Sequence, residues 1–166
     1  MKIKILQRNK EAHLHDDLEP NIWGDGKLKP EIREALMDIA QEFYNTLEVD
    51  APLEDVRFTG SLANFNYTPK SDIDLHLVID FSKVDENEKL VKNYFDAKRI
   101  LWNNKHIIIV KGYEVEVYVE NIEEQHHSTG IYSIKGDEWI LEPQPVEEPV
   151  DLTIGDKKAA MIATEV

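Results

Sequence analysis

Residues 58–80 hold the side chains best suited to chemistry: Phe58-Thr59-Gly60-Ser61, ten further residues, then Asp72-Ile73-Asp74-Leu75-His76-Leu77-Val78-Ile79-Asp80. The second run alternates apolar and polar residues as a half-buried strand does, so Asp72 and Asp74 point to the same side. Two carboxylates held side by side repel and resist joint ionisation. A plain surface gains nothing from that arrangement, whereas a divalent cation is drawn to it. The upstream Gly-Ser turn offers backbone N–H groups of the kind that cradle phosphate. Together they read as a site for a metal–nucleotide complex.

A third acid is available from Tyr113-Glu114-Val115-Glu116-Val117-Tyr118-Val119-Glu120. Val115, Val117 and Val119 face one way in a strand, and Glu114, Glu116, Tyr118 and Glu120 face the other. If this strand lies beside residues 72–80, one of its glutamates completes an acidic triad. Otherwise it is an edge strand with solvated glutamates. Spacing does not separate Glu114 from Glu116; Glu116 is favoured as the more central in the valine run.

The pattern of Gly-Ser, a spacer, Asp-apolar-Asp-apolar and a later acid within an apolar strand resembles the DNA polymerase beta-type nucleotidyltransferase superfamily. Gly60-Ser61, Ser71-Asp72-Ile73-Asp74-Leu75 and Val115-Glu116-Val117 carry the resemblance over about residues 55–120. The helix before the Gly-Ser strand, and Leu101-Trp102-Asn103 before the third acid, are similar to small nucleotidyltransferases of bacteria and phages. The resemblance implies an α+β fold with a mixed, largely antiparallel sheet flanked by helices. It implies two Mg²⁺ ions, with Mn²⁺ as an alternative, held by Asp72, Asp74 and Glu116, which are also the catalytic residues. It implies a nucleoside triphosphate, ATP first, contacted by Gly60, Ser61 and Ser71. The activity implied is transfer of a nucleoside monophosphate to a hydroxyl of a small-molecule, protein or RNA acceptor, the acceptor itself being unknown. This chain departs from many members in carrying glutamate on the third strand, and it is too short for the helical domain by which larger relatives grip base or acceptor.

The chain has 166 residues and a net charge of −14, from 33 acidic and 19 basic residues. That disfavours a long nucleic acid held through its phosphates, which needs a basic stripe. A nucleoside triphosphate arriving with Mg²⁺ is not disfavoured. Cysteine is absent, so disulfides and thiolate-bound zinc are excluded. No apolar run approaches the roughly 20 residues of a membrane helix, and the charged start, Met1 to Arg8, lacks the apolar stretch of a signal peptide. A cytoplasmic protein without a membrane partner is the expectation.

Three segments are predicted: a leader over 1–29, the nucleotidyltransferase domain over 30–142 and an extended, Pro- and Glu-rich tail over 143–166. Pro30 opens an amphipathic helix over 30–47, with Ile32, Leu36, Ile39, Phe43 and Leu47 as its apolar face. A short strand over 55–59 feeds the Gly-Ser turn. Asp85 and Glu88, at capping-box spacing, open a second helix over about 86–102 with Leu90, Val91, Tyr94, Phe95, Leu101 and Trp102 inward. A hairpin turns at Lys111-Gly112 and a second, over 131–141, at Gly136-Asp137. A short helix over 156–164 closes the chain.

Some residues are weighed without being assigned. His76 shares the face of Asp72 and Asp74, and His126-His127 sit in a polar loop after the third-acid strand. His13, His15, Asp16 and Asp17 are a weak metal candidate. Lys70, Lys98, Arg99, Lys105 and Lys111 are candidates for a triphosphate contact. Trp23, Trp102 and Trp139 read as core or interface anchors. Two further classes compete with the enzyme. One is a non-catalytic nucleotidyltransferase-like module acting through a protein partner, which would be expected to have lost a carboxylate. The other is an acidic mimic of nucleic acid, which would need its carboxylates spread in rows rather than clustered.

Overall fold

The computed structural model describes residues 14–145. His13 and the helix anticipated over 156–164 lie outside these residues. Within them, two long helices pack against a six-stranded mixed sheet, and a two-stranded ribbon sits beside it. The expected α+β architecture is borne out. The ribbon is β1 (Trp23–Gly24) with β2 (Lys27–Leu28). The main sheet comprises β3 (Leu53–Thr59), β4 (Ile73–Ile79), β5 (Ile109–Val110), β6 (Tyr113–Asn121), β7 (Ile131–Ser133) and β8 (Glu138–Leu141). Its order is β5-β6-β4-β3-β7-β8, antiparallel throughout except for the parallel β4–β6 pair.

Helix α1 (Pro30–Leu47) starts at the proline and ends at Glu48, in the left-handed conformation (φ 52°). It buries Ile32, Leu36, Ala40, Phe43 and Leu47, while Ile39 is only partly covered. Helix α2 (Glu88–Lys105) is capped by Asn87, whose Oδ1 accepts from Leu90 N–H at 3.2 Å. Asp85 instead accepts from Asn87 N–H at 2.9 Å, so the predicted capping box is replaced by an Asx turn that begins two residues before the N-cap. The inward face of α2 is also narrower than predicted. Val91, Phe95 and Trp102 are buried, but Leu90 and Leu101 are each 58% exposed and Tyr94 is 38% exposed. The reason is packing: α2 meets the sheet along the margin of β6, so only one stripe of the helix is covered.

Strand alternation divides the sheet into two faces with different roles. Val56 and Phe58 of β3, Ile73, Leu75, Leu77 and Ile79 of β4 and the valines of β6 form one face of the core. Asp55, Arg57 and Thr59, Asp74 and His76, and Glu116, Tyr118 and Glu120 take the other. The leader contributes to the apolar side. Ile22, Trp23 and Leu28 are buried, and Trp23 packs on Phe58, Tyr132 and Trp139 at ring separations of 4.7–5.3 Å. Trp23 Nε1–H donates to Leu62 O at 2.8 Å, which ties the leader to the turn after Gly60.

Candidate active site

The site begins where β3 ends. Thr59 pairs with Asp74, and the chain then turns at Gly60 into a 3₁₀ turn over Ser61–Ala63. Gly60 has φ 93° and ψ −172°, a region open in practice only to glycine. A Cβ at this position would also overlap the Asp74 carboxylate. Two separate constraints therefore require glycine here, one from the backbone and one from the neighbouring acid. Ser61 Oγ and Ser71 Oγ are hydrogen-bonded at 2.7 Å, and Ser71 Oγ accepts from Thr68 N–H at 2.9 Å. Ser71, the residue before Asp72, thus ties the Gly-Ser turn to the loop at Thr68.

Strand β4 runs parallel to β6 in a register that sets Asp74 beside Glu116 and His76 beside Tyr118. The two acids lie on neighbouring strands and on the same face. Glu114 lies outside the paired stretch of β4 and β6, opposite Ile109 of β5, and is exposed. The Asp74 carboxyl is raised to about 6, first by burial, with His76 opposing and Glu116 and Asp72 adding to the rise. Asp72 is also raised, first by burial and then by Glu116. Glu116 is thus the acid coupled to both aspartates. Its Oε1 accepts from Tyr118 O–H at 2.8 Å.

Among the described residues, no three Asp, Glu or His side chains are gathered into a ready-made metal cage. The chemistry of the acids still fits a divalent ion. All the donors are hard carboxylate oxygens, the kind Mg²⁺ and Mn²⁺ prefer. Asp74 is held protonated to unusually high pH by burial and by two like charges, a cost that a cation removes.

Further along the same face is a polar cluster that sequence reasoning did not assemble. Arg57 of β3 donates through Nε to Asp55 at 2.9 Å, and its second arm reaches His126 Nε2 at 2.7 Å and Glu120 at 3.5 Å. Glu120 is buried. His76 Nδ1 is 2.9 Å from Glu120 Oε1, within ion-pair reach but off the line of a hydrogen bond, so this nitrogen has no hydrogen-bond partner among the described residues. His126 Nε2 also lies 3.2 Å from Glu120. With Arg57 donating to that nitrogen it carries no proton, and the shorter contact governs. Ser133 Oγ–H donates to Asp55 at 2.7 Å. The loop carrying His126-His127 is therefore pinned to the sheet beside the acids. The available signal was alternation: Arg57 is the one basic residue on the polar face of β3, and Glu120 ends the row that begins at Glu114.

The other candidates separate. His15 stacks on Tyr67 at 3.8 Å and contacts Tyr67 O at 2.8 Å. With Asp16, Asp17 and Asp25 it borders a depression of about 710 Å³ that none of the three acids lines. Of the basic candidates, Arg99 lies 4.9 Å over the Tyr118 ring and Lys98 5.6 Å over Tyr94. Lys70, Lys105 and Lys111 are exposed. Trp102 is buried in the core, and Trp139 packs on Trp23. No helix among the described residues is long and apolar enough to cross a membrane.

Comparison with known proteins gives one family. The nucleotidyltransferase domain profile matches residues 32–134, which takes in all but the first two residues of α1, the whole of α2, the Gly-Ser turn and all three acids. No curated protein and no solved structure matches the chain. The profile covers well over half of the sequence and the strands that carry the acids, and the chain belongs to the nucleotidyltransferase domain family, in keeping with the polymerase beta-type superfamily.

Proposed function

We propose that this chain is a metal-dependent nucleotidyltransferase that moves a nucleoside monophosphate from a nucleoside triphosphate, ATP first, to a hydroxyl on a small-molecule, protein or RNA acceptor. The carrying observation is the register of the parallel β4–β6 pair, which sets Glu116 beside Asp74 with Gly60 pressed against the same carboxylate. A cytoplasmic setting is part of the same reading.

Asp72, Asp74 and Glu116 would hold two divalent ions, Mg²⁺ first and Mn²⁺ as an alternative. When bound, such ions acidify an attacking hydroxyl and neutralise the leaving pyrophosphate. The remaining work falls to the chain. Gly60, lacking a Cβ, lets the triphosphate approach the backbone closely. Ser61 offers its N–H and hydroxyl to the β- and γ-phosphates, and Ser71 holds it in place through the 2.7 Å hydroxyl pair. The acceptor oxygen attacks the α-phosphorus in line. The new bond is acceptor O–P, the bond between the α-phosphorus and the bridging oxygen breaks, and pyrophosphate leaves. The acceptor proton passes to Glu116.

Retention of all three acids supports the enzyme over a non-catalytic partner-binding module. The test is incubation with Mg²⁺ and each labelled nucleoside triphosphate, with and without a cell extract as acceptor source. Label transfer that disappears in Asp72→Ala supports the proposal. Label transfer that persists in Asp72→Ala refutes the site. Tight, Asp72-independent binding of a protein partner without transfer supports the module instead.

A further inference from the structure

We infer that helix α2 is a two-point clamp that positions Glu116: Asn103 fixes the backbone beside it, and Arg99, through Tyr118, holds the ring that orients its carboxylate. The inference rests on Glu116 acting as third carboxylate and goes beyond that reading by assigning work to three residues outside the triad.

The first point of the clamp repairs an unfinished sheet edge. On the side of β6 away from β4, the ladder is short. Strand β5 pairs only Ile109 with Glu114 and Val110 with Tyr113, and Val115 N–H donates to Ile108 O at 2.9 Å. Two residues later, Val117 presents its N–H and C=O to the same side with no strand among the described residues to meet them. Asn103 supplies both partners. Its Oδ1 accepts from Val117 N–H at 3.0 Å, and its Nδ2 donates to Val117 O at 3.0 Å. One carboxamide therefore stands in for a missing strand residue, immediately next to Glu116. Only Asn has both a donor and an acceptor at this reach, since Asp lacks the donor and Gln adds a methylene.

The second point acts on the side chain. One turn back along α2, the Arg99 guanidinium lies 4.9 Å from the centre of the Tyr118 ring, a cation–π distance. The His76 ring packs on the same tyrosine at 4.8 Å. So held, Tyr118 donates its O–H to Glu116 Oε1 at 2.8 Å. One carboxylate oxygen is thereby fixed and the other is left for a cation. Groups one step behind a metal ligand set its orientation in this manner. Asn103, Arg99 and Tyr118 are positioning residues; none of them touches substrate in this account.

The test uses the full chain. Tyr118→Phe, Arg99→Gln and Asn103→Ala are compared with wild type, with Glu116→Gln as the positive control and Lys92→Gln, on the exposed side of α2, as the neutral one. Three quantities are read: Mn²⁺ affinity without nucleotide by electron paramagnetic resonance, kcat against nucleotide KM for label transfer, and the melting temperature. Tyr118→Phe is expected to lower kcat and Mn²⁺ affinity by about 10-fold or more, the range typical of outer-shell groups. Nucleotide KM and melting temperature should stay near wild type. Asn103→Gln should not rescue Asn103→Ala. If Tyr118→Phe keeps wild-type Mn²⁺ affinity and kcat while Glu116→Gln loses both, the clamp is refuted and the triad stands. If Asn103→Ala lowers only the melting temperature, its role is structural and that arm fails. If wild type binds Mn²⁺ but transfers no label, the transfer reading fails, and the clamp is judged on Mn²⁺ affinity alone. If wild type binds no Mn²⁺ either, both fall.

Discussion

Removing the charge of Asp74 should make the metal-free protein more stable while destroying its function. Burial and two neighbouring carboxylates hold this group at about 6 against an ordinary 3.8. A raised acid pKa means that the native chain binds more protons than the unfolded chain between roughly pH 4 and pH 6. Stability therefore falls as pH rises through that window, and the whole penalty is present at pH 7. A rise of this size corresponds to about 3 kcal/mol. Relaxation and water entry reduce it, so about 1–3 kcal/mol is expected. Asp74→Asn keeps the shape and drops the charge. In urea denaturation with a chelator present, the variant should exceed wild type by that amount at pH 7, with the gap closing toward pH 4. Saturating Mg²⁺ should stabilise wild type, by about 2.7 kcal/mol at one hundred times its dissociation constant, and leave Asp74→Asn unmoved. A variant less stable than wild type at pH 7, or a gap that ignores pH, would refute the electrostatic account of the site.

Three further outcomes follow from the same geometry. Glu116→Gln should reduce label transfer by more than ~100-fold, beyond the loss typical of outer-shell groups, whereas Glu114→Gln should transfer at close to the wild-type rate; the reverse order in a labelled-nucleotide assay would move the third acid to Glu114. Gly60→Ala must place a side chain in a region reserved for glycine, at about 1–3 kcal/mol, and must also displace Asp74; both a lower urea midpoint and loss of transfer are expected. Glu120→Ala should cost about 2–3 kcal/mol in urea denaturation, below the 3–5 usual for a broken buried pair because Arg57 keeps Asp55 and its contact with His126.

The elements were legible where one chemical signal dominated. Pro30 and the apolar spacing gave α1 at its observed bounds, and Asp-Ile-Asp gave β4, because a carboxylate at every second position has no other regular explanation. Helix α2 was misread on its outer stripe. Leu90, Tyr94 and Leu101 are apolar enough to suggest burial, but the contact of α2 with the margin of β6 covers only Val91, Phe95 and Trp102. Periodicity reports that a helix has an apolar side; it does not report how wide a surface the rest of the fold will offer. The choice between Glu114 and Glu116 was closed to sequence for a related reason. Both face the same way, and what separates them is the β4–β6 register, a long-range property that no local pattern encodes.

The same register explains why the polar cluster and the triad occupy one face in sequence. With Asp74 beside Glu116, His76 must stand beside Tyr118, and the next outward residue of β6 is Glu120. A fourth acid so close to the other three would deepen their repulsion if left bare. Arg57, entering from β3 opposite His76, lies against Glu120 and Asp55 and offsets both. The charge on this face is thus graded along the strands, from acids with no ion pair among the described residues at the Gly60 end to acids paired with Arg57 at the His126 end. In the proposed function a cation binds at the first and not at the second. Reversing that gradient gives a direct check: Arg57→Gln should leave Glu120 and Asp55 without their guanidinium and broaden metal binding from one location to two, seen as a second, weaker class of sites in a Mn²⁺ titration. A single unchanged class would mean that Arg57 serves the fold alone and that the choice of cation site lies entirely with the Gly60 turn.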